Sequence, residues 1–326
     1  MSARICIMLV LLGVLGWLIP SKALLVMPNP EFRVVYKLTA HDTLFDIQIL
    51  DNQGWAVGNH GLLLLTEDGG NTWHATRALT NAALLGLDMT LKGRGATVGQ
   101  EGAILYTEDN GRHWSKVETG IHARLFSVSL DDSGVGLAVG EFGTLLRTDD
   151  HGRSWAALTP DWGRLLALPD VPHLYDVLME DRNTALVVGE FGIVMRSKDG
   201  GGTWSLLNRG DESIFAVRKA SNGNYWCLGQ SGLLLRARDA GLVWERIEAG
   251  QHSGLLDLHL DGRGRGILIG TEGIFTTADG GQTWNSNPTV NSSLPRQFAV
   301  AAATDGAYLL AGAFGSIVRV KNPSTR

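Results

Sequence analysis

The sequence TEDGGNTW at residues 66–73 is the fullest copy of a short box that decides the fold. The box consists of a small polar residue, a variable residue, Asp, a glycine-rich turn and Trp. Six copies occur, and they end at Trp73, Trp114, Trp155, Trp204, Trp244 and Trp284. Asp can accept hydrogen bonds from the N–H groups of such a turn, Gly supplies positive φ, and Trp fills the gap between neighbouring strands. The box therefore predicts a repeated turn between strands that needs no ligand.

A second marker lies upstream of each box and sets the spacing of the repeat. It is an apolar run that ends on Gly-x-x-Gly, and its first glycines are Gly58, Gly99, Gly140, Gly189, Gly229, Gly270 and Gly312. Successive copies lie 41, 41, 49, 40, 41 and 42 residues apart. A period of about 40 residues with several short strands in each unit is typical of propeller blades. The sequence thus predicts an all-β fold, a seven-bladed β-propeller of four-stranded antiparallel blades over residues 31–323.

The seventh unit lacks a fourth strand, and the other end of the chain offers one. This unit runs from Phe298 to Val320 and no box follows it. Residues 31–38, EFRVVYKL, precede the first unit and alternate in polarity as a strand does. We expect this segment to complete blade seven, because closure by both chain ends removes exposed sheet edges.

The first 23 residues have the pattern of a secretory signal peptide. Arg4 precedes an apolar stretch over residues 5–19, and the segment ends on the sequence PSKA. This stretch is shorter than the roughly 20 residues of a spanning helix. Residues 24–27 could extend it, so an uncleaved anchor is the alternative to cleavage. In both cases we expect export to the periplasm or an equivalent space, with a membrane tether if the leader stays.

Charge and cysteine content restrict the partners. The formal net charge is −5, and removal of residues 1–23 takes away two basic residues and no acidic one, which leaves −7. A nucleic-acid-binding protein needs a basic face, so we expect no nucleic-acid partner. The chain has two cysteines, and because Cys6 lies in the leader, Cys227 has no disulfide partner in the mature chain.

The pattern VGxxGxxxRTxDGGxTW, seen at residues 139–148 as VGEFGTLLRT, resembles the repeats of photosystem II stability and assembly factors. The resemblance covers all seven units and extends to the wider class with BNR, or Asp-box, repeats. It implies a non-enzymatic propeller that binds a membrane-protein partner and helps it to assemble. It does not imply photosynthesis, since proteins of this kind also occur in bacteria that do not photosynthesise. The box alone specifies no function, because sialidases, xyloglucan hydrolases and sorting receptors also carry it.

A carbohydrate-active propeller, either a hydrolase or a lectin, is the alternative function. A sialidase would need an arginine triad and a tyrosine nucleophile, whereas the five tyrosines lie in apolar strand runs. Three aspartates recur at one position of the inner strand near the axis, and two of them could serve a glycosidase: Asp46, Asp176 and Asp257. Other blades place at this position Gly86, Ser127 and Ala216. This variation favours a structural position for small or polar residues, and we predict no catalysis.

Three histidines each stand three residues before an inner strand: His41, His122 and His252. They belong to blades one, three and six, which is too wide a separation for the ~2.0–2.1 Å bonds of one zinc ion. The sequence has no Cys/His ligand spacing, nucleophile elbow or phosphate loop. We expect neither a metal nor another cofactor.

An arginine follows the second glycine of the turn by four residues in four blades: Arg147, Arg196, Arg236 and Arg319. Each directly precedes the first box position, so we expect all four on the face that carries the boxes. They could hold carboxylates or carbonyl groups of a partner bidentately. The alternative is a repeated structural ion pair, or packing of the arginine stems on the adjacent blade.

The opposite face carries the Gly-x-x-Gly turns and the only long insertion, residues 159–173 between blades three and four. Two turns place an acidic and an aromatic residue side by side, and the insertion adds a tryptophan, an arginine and several leucines. The candidate contacts are Glu141, Phe142, Glu190, Phe191, Trp162 and Arg164. Such residues are typical of interfaces; the alternative is a hydrophobic loop folded onto its own blades. The sequence favours a monomeric interaction or assembly module for a membrane-associated complex.

Overall fold

The computed structural model describes residues 32–78, 80–166, 171–238, 243–286 and 288–321. The predicted leader at residues 1–23 lies outside them. So do Leu168 of the insertion, the centre of the fifth box at residues 239–242, and the predicted propeller limits at residues 31 and 323.

Blades one to three are four-stranded antiparallel sheets of consecutive strands that follow β1 (Phe32–Tyr36). Blade one contains β2 (Leu44–Leu50), β3 (Gln53–Gly58), β4 (Leu62–Thr66) and β5 (His74–Arg77). Blade two contains β6 (Leu84–Met89), β7 (Gly95–Gly99), β8 (Ile104–Thr107) and β9 (Ser115–Val117). Blade three contains β10 (Leu125–Leu130), β11 (Gly136–Gly140), β12 (Leu145–Thr148) and β13 (Ala156–Leu158).

Blades four to six repeat this order, and a short helix precedes blade four and another precedes blade seven. These helices are α1 (Trp162–Leu166) and α2 (Pro288–Ser293). Blade four contains β14 (Leu174–Met179), β15 (Ala185–Gly189), β16 (Val194–Ser197) and β17 (Ser205–Asn208). Blade five contains β18 (Ile214–Lys219), β19 (Tyr225–Gly229), β20 (Leu234–Arg238) and β21 (Val243–Arg246). Blade six contains β22 (Leu255–Leu260), β23 (Gly266–Gly270), β24 (Gly273–Thr277) and β25 (Asn285–Ser286).

Blade seven joins the two ends of the chain, as the sequence predicts. It contains β26 (Gln297–Ala302), β27 (Tyr308–Gly312) and β28 (Ser316–Val320), and β1 is its fourth strand. The pairing of β1 with β28 is antiparallel, with Phe32 opposite Val320. Val35 and Tyr36 of β1 pack against the hydrophobic core shared by blades seven and one. The predicted seven-bladed propeller, closed by its N-terminal strand, is confirmed.

The Gly-x-x-Gly marker follows from the path of the backbone. A Cβ atom on Gly58 would lie 2.1 Å from the carbonyl oxygen of Thr43, which precedes the inner strand, so only glycine fits there. The backbone N–H of Asn59 donates a hydrogen bond to that same oxygen at 3.0 Å. Gly61 has a φ of +64°, in the left-handed region that favours glycine. Each turn is thereby fixed against the inner strand of its own blade.

The box also forms the contacts that its sequence predicts. In the first copy, the backbone N–H groups of Asn71 and Thr72 each donate to Asp68 Oδ1 at 2.9 Å. Trp73 donates through Nε1 to the carbonyl of Gly70 and is only 6% exposed. It packs into the core between blades one and seven. The box is therefore both a turn and an inter-blade plug.

Among the described residues, the hydrophobic core forms seven clusters, one at each interface between neighbouring blades. A blade on its own would leave both faces of its sheet exposed, whereas stacking in a ring buries them. Within the part of the chain described here, neither helix has the length and apolar character needed to cross a bilayer.

Candidate partner-binding surface

The four predicted arginines lie on the face of the propeller that carries the boxes, here called the box face. Each of them has partners within the protein. Their side chains are only 10–23% exposed. Arg319 donates to the carbonyl of Gly69 in the box of blade one at 3.1 Å, and to Asp305 at 2.6 Å. Arg147 makes the same bond to the carbonyl of Gly200 in the box of blade four. These two arginines therefore tie neighbouring blades together.

The other two arginines of this set are held within their own blades. Arg196 lies 3.5 Å from the carboxylate of Glu180. Arg236 pairs with Glu245 at 2.7 Å, and its guanidinium lies 5.7 Å from the centre of the Trp226 ring. The geometry of all four arginines favours their structural interpretation, and partner binding by them stays a prediction.

On the opposite face, here called the turn face, the two predicted glutamates also act within the protein. Glu141 Oε2 accepts a hydrogen bond from the backbone N–H of Arg124 at 3.1 Å. Glu190 Oε2 accepts one from the backbone N–H of His173 at 2.8 Å. Asn59 makes the same bond in blade one, where its Oδ1 accepts from the backbone N–H of Thr43 at 2.9 Å. In blades one to five the side chain at this turn position accepts a hydrogen bond that secures the start of the inner strand.

The phenylalanines at the next turn position of three blades do not help to secure the inner strand in this way. Phe142, Phe191 and Phe314 adopt left-handed φ angles of +53°, +56° and +62°. Their exposed fractions are 71%, 38% and 40%. This conformation costs a bulky residue about 1–2 kcal/mol. Glu101 and Ser231 occupy the same turn position in other blades, so the fold does not require an aromatic residue there.

A ring of apolar side chains surrounds the mouth of the central channel on the turn face. The second residue of each inner strand contributes to this apolar mouth: Phe45, Leu85, Phe126, Tyr175, Phe215, Leu256 and Phe298, all half-buried. The ring centres of Phe126 and Tyr175 lie 5.4 Å apart, and those of Tyr175 and Phe215 lie 5.7 Å apart. The sequence analysis missed this ring. The sequence pattern that could have predicted it is an apolar or aromatic residue at the second position of all seven inner strands.

His173 connects the exposed turn of blade three to the apolar mouth. Its ring lies 4.8 Å from the Phe142 ring and 6.5 Å from the Phe126 ring, measured between centres. Its Nδ1 also contacts the backbone nitrogen of Phe142 at 2.9 Å. Exposed and half-buried aromatic rings therefore form one continuous surface across blades three to five.

The insertion between blades three and four folds down onto its own blades. Trp162 and Leu165 pack against the core of blades three and four, and Leu166 is buried within it. Arg209 donates to the carbonyl of Leu166 at 3.0 Å, which fixes the end of α1. Arg164 is exposed. Trp162 and Phe142 both line a groove of about 280 Å³ beside β13.

The three axial aspartates join the inner strands of neighbouring blades. Asp46, Asp176 and Asp257 each accept a hydrogen bond from the next inner strand, at 2.8–2.9 Å, and the donors are the N–H groups of Leu87, Val217 and Val300. The guanidinium of Arg218 lies between two of the carboxylates and bonds to both Asp176 and Asp257. Burial raises the pKa of Asp46 to about 7. This geometry supports the structural interpretation of the position.

The three predicted rim histidines are exposed. Among the described residues, no group of three or more His, Cys, Asp or Glu side chains could hold a metal ion. Cys227 is buried in β19, and burial raises the pKa of its thiol.

The chain matches a family model described as photosynthesis system II assembly factor YCF48, over residues 29–157 and 159–316. The chain belongs to this family. No curated protein matches it. A solved structure described as YCF48 bound to D1 peptide is 21% identical, with a TM-score of 0.71, over 90% of this chain and 97% of that one. YCF48 from Cyanidioschyzon merolae is 19% identical, with a TM-score of 0.72, over 88% and 98% of the two chains.

Enzymes share the fold as well. The GH74 xyloglucanase from Xanthomonas campestris is 16% identical, with a TM-score of 0.68, over 88% of this chain and 53% of its own. At such identities the likeness to solved structures shows the fold alone. Membership of the YCF48 family confirms the resemblance seen in the repeats and indicates an assembly or interaction factor.

Proposed function

We propose that this member of the YCF48 family is an exported, non-catalytic assembly factor that binds a peptide segment of a membrane-associated partner at its turn face. Family membership supports the assembly role. One YCF48 structure is described as bound to D1 peptide, which supports a peptide as the kind of ligand. The paired carboxylates that a glycosidase would use instead bond to backbone N–H groups and to Arg218.

The observation that carries this proposal is the exposure of Phe142 and Phe191 in a strained conformation. Both side chains occupy turns that accept polar residues in other blades. Large exposed apolar side chains next to an apolar ring are typical of an interaction site. Aromatic residues provide much of the binding energy of typical interfaces. Phe142, the apolar mouth and the groove beside Trp162 together form a surface suited to an extended apolar peptide.

The leader supports export. A short basic region, an apolar stretch and a small-residue end are the parts of a secretory signal, and all three occur in residues 1–23. Fractionation of cells that express the full chain and a chain without residues 1–23 tests this step. Recovery of the full chain from the cytoplasmic fraction would overturn it.

Crosslinked capture of partners from membranes tests the binding surface. The variant Phe142→Ser with Phe191→Ser introduces the residue that blade five has at this position, Ser231, so the turns should keep their shape. We expect at least a ten-fold loss of captured partner, since loss of an aromatic anchor removes about 2 kcal/mol or more. The matched control is Glu101→Ser in blade two. Equal capture by the double variant and the control would reject the turn face as the site.

A further inference from the structure

Blade six departs from the repeat at the turn that lies next to blade seven. In blades one to five the Gly-x-x-Gly turn is a short 3-10 turn, whereas in blade six Gly270 pairs directly with Gly273 in a tight hairpin. A Cβ atom on the first glycine would lie 2.0–2.2 Å from the carbonyl oxygen before the inner strand in the other six blades. In blade six the distance to the carbonyl of Gly254 is 3.3 Å. The turn of blade six keeps the usual hydrogen bond, from the backbone N–H of Thr271 to the carbonyl of Gly254 at 2.8 Å, but leaves more room beside its first glycine.

The inner strand of blade seven, β26, also departs from the repeat, at its first position, which lies next to this turn. Six blades place a fully buried Leu or Ile there, and blade seven places Gln297, which is 3% exposed. Gln297 Nε2 donates to the carbonyl of Pro295 at 2.6 Å. Its Oε1 is buried and has no hydrogen-bond partner among the described residues. A buried unpaired acceptor costs about 1–3 kcal/mol, so leucine would serve the fold better.

A cavity of about 190 Å³ lies between this turn and the segment that follows α2. Gln297 lines it, together with an apolar wall that includes Ile269 and Leu294. Glu272 and Arg296 line it as well; both are exposed, and neither forms an ion pair with another described residue. The residues that line the cavity thus include an amide, a carboxylate and a guanidinium beside an aliphatic surface.

We propose that this cavity binds a small zwitterion, an α-amino acid with a short aliphatic side chain. Its ammonium group would donate to Glu272 and supply the donor that Gln297 lacks. Its carboxylate would pair with Arg296, and its side chain would pack on Ile269 and Leu294. Charge-assisted hydrogen bonds of this kind are about twice as strong as neutral ones. The site is separate from the partner surface of blades three to five and does not depend on it.

Calorimetric titration with three probes tests the ligand class. L-valine carries both charges, isobutylamine carries only the cation, and isovalerate carries only the anion. We expect valine to bind and each single-charge probe to bind at least ten-fold more weakly, because each lacks one charge-assisted contact. Absence of valine binding would overturn the proposal, and so would equal binding of either fragment.

Two variants locate the site. Gln297→Leu restores the residue of the other blades, so we expect it to raise the melting temperature of the free protein and to weaken valine binding at least ten-fold. Glu272→Gln should also weaken binding, whereas Glu101→Gln, at the same turn position of blade two, should not. Unchanged valine affinity in Gln297→Leu would place the ligand elsewhere. Partner capture by Gln297→Leu should match wild type, which separates this test from that of the proposed function.

Discussion

The box face and the turn face use the same seven-fold frame in opposite ways. On the box face, repeated polar side chains have internal partners: Arg319 bonds to the box of the next blade, and Asp68 holds its own turn. On the turn face, Phe142 is exposed in a conformation that a smaller polar residue adopts with less strain. A residue that recurs because the backbone needs it is structural. A residue that departs from the repeat at a cost in stability indicates a function.

Removal of the closing strand should have the largest effect on this frame, because both faces depend on a closed ring. Deletion of residues 24–38 removes β1 and with it the contacts of Val35 and Tyr36 with the core of blades one and seven. The edge of β28 would then be exposed, and we expect an aggregated or proteolysed product. Deletion of residues 24–30 alone is the control. Wild-type melting of the longer deletion would show that the ring does not need β1.

Aromatic residues of the two faces should respond oppositely to truncation. Trp73→Ala empties a buried inter-blade site and should lower the free energy of unfolding by about 3–5 kcal/mol, as measured by denaturant titration. Phe142→Ala, on the exposed face, should change it by less than about 0.5 kcal/mol. If Trp73→Ala kept its stability and lost only partner capture, the tryptophan would be a ligand platform and the contrast between the faces would fail.

The fold could be predicted from the sequence because its markers are local. The box and the Gly-x-x-Gly turn each close hydrogen bonds within a few residues or onto the adjoining strand, so their chemistry can be recognised without the tertiary structure. Closure of the ring could be predicted because the seventh unit lacks one strand and the N-terminal segment supplies one. The candidate site was harder to predict, because the same residue types serve both faces. Glu141 looked like part of an interface, and only the structure shows its bond to the backbone of Arg124.

The apolar mouth and the Gln297 cavity show what the sequence analysis lacked. Phe126, Tyr175 and Phe215 are distant in sequence, and their rings meet only when the blades close. Gln297 is a departure from the repeat that alignment of the inner strands would reveal. Its unpaired oxygen, however, is visible only in the packed structure.

Carboxylates in the channel and in the box should give opposite dependences on pH. Burial raises the pKa of Asp46 to about 7, so its contribution to stability is present below pH ~4 and is lost as the pH rises towards 7. Desolvation acts in the same direction on Asp68, but hydrogen bonds from Thr72, Thr66 and Asn71 outweigh it and lower that pKa to about 2. The contribution of Asp68 is therefore present above pH ~4 and is lost as the pH falls towards 2.

Unfolding titrations from pH 4 to pH 8 test this contrast. Asp46→Asn should remove a decline of about 3 kcal/mol in the free energy of unfolding between pH 4 and pH 7. The slope with pH is the measured quantity, because the amide changes absolute stability through its own hydrogen bonds. Asp68→Asn is the control and should leave this decline intact. An unchanged slope in Asp46→Asn would assign the decline to other groups.

The smallest expected effect comes from a matched pair of arginines on the two faces. Arg147 donates to the carbonyl of Gly200 and pairs with Asp149. Its replacement by Ala leaves a part-buried carbonyl without its donor and should lower the free energy of unfolding by about 1–2 kcal/mol. Arg164 is exposed on α1, so Arg164→Ala should stay within about 0.5 kcal/mol of wild type in the same denaturant titration.

Partner capture should show the reverse order: Arg164→Ala weakens it, while Arg147→Ala retains it under conditions where the variant is folded. If capture were lost in folded Arg147→Ala and kept in Arg164→Ala, the binding site would lie on the box face, and the assignment of structure to one face and function to the other would be reversed.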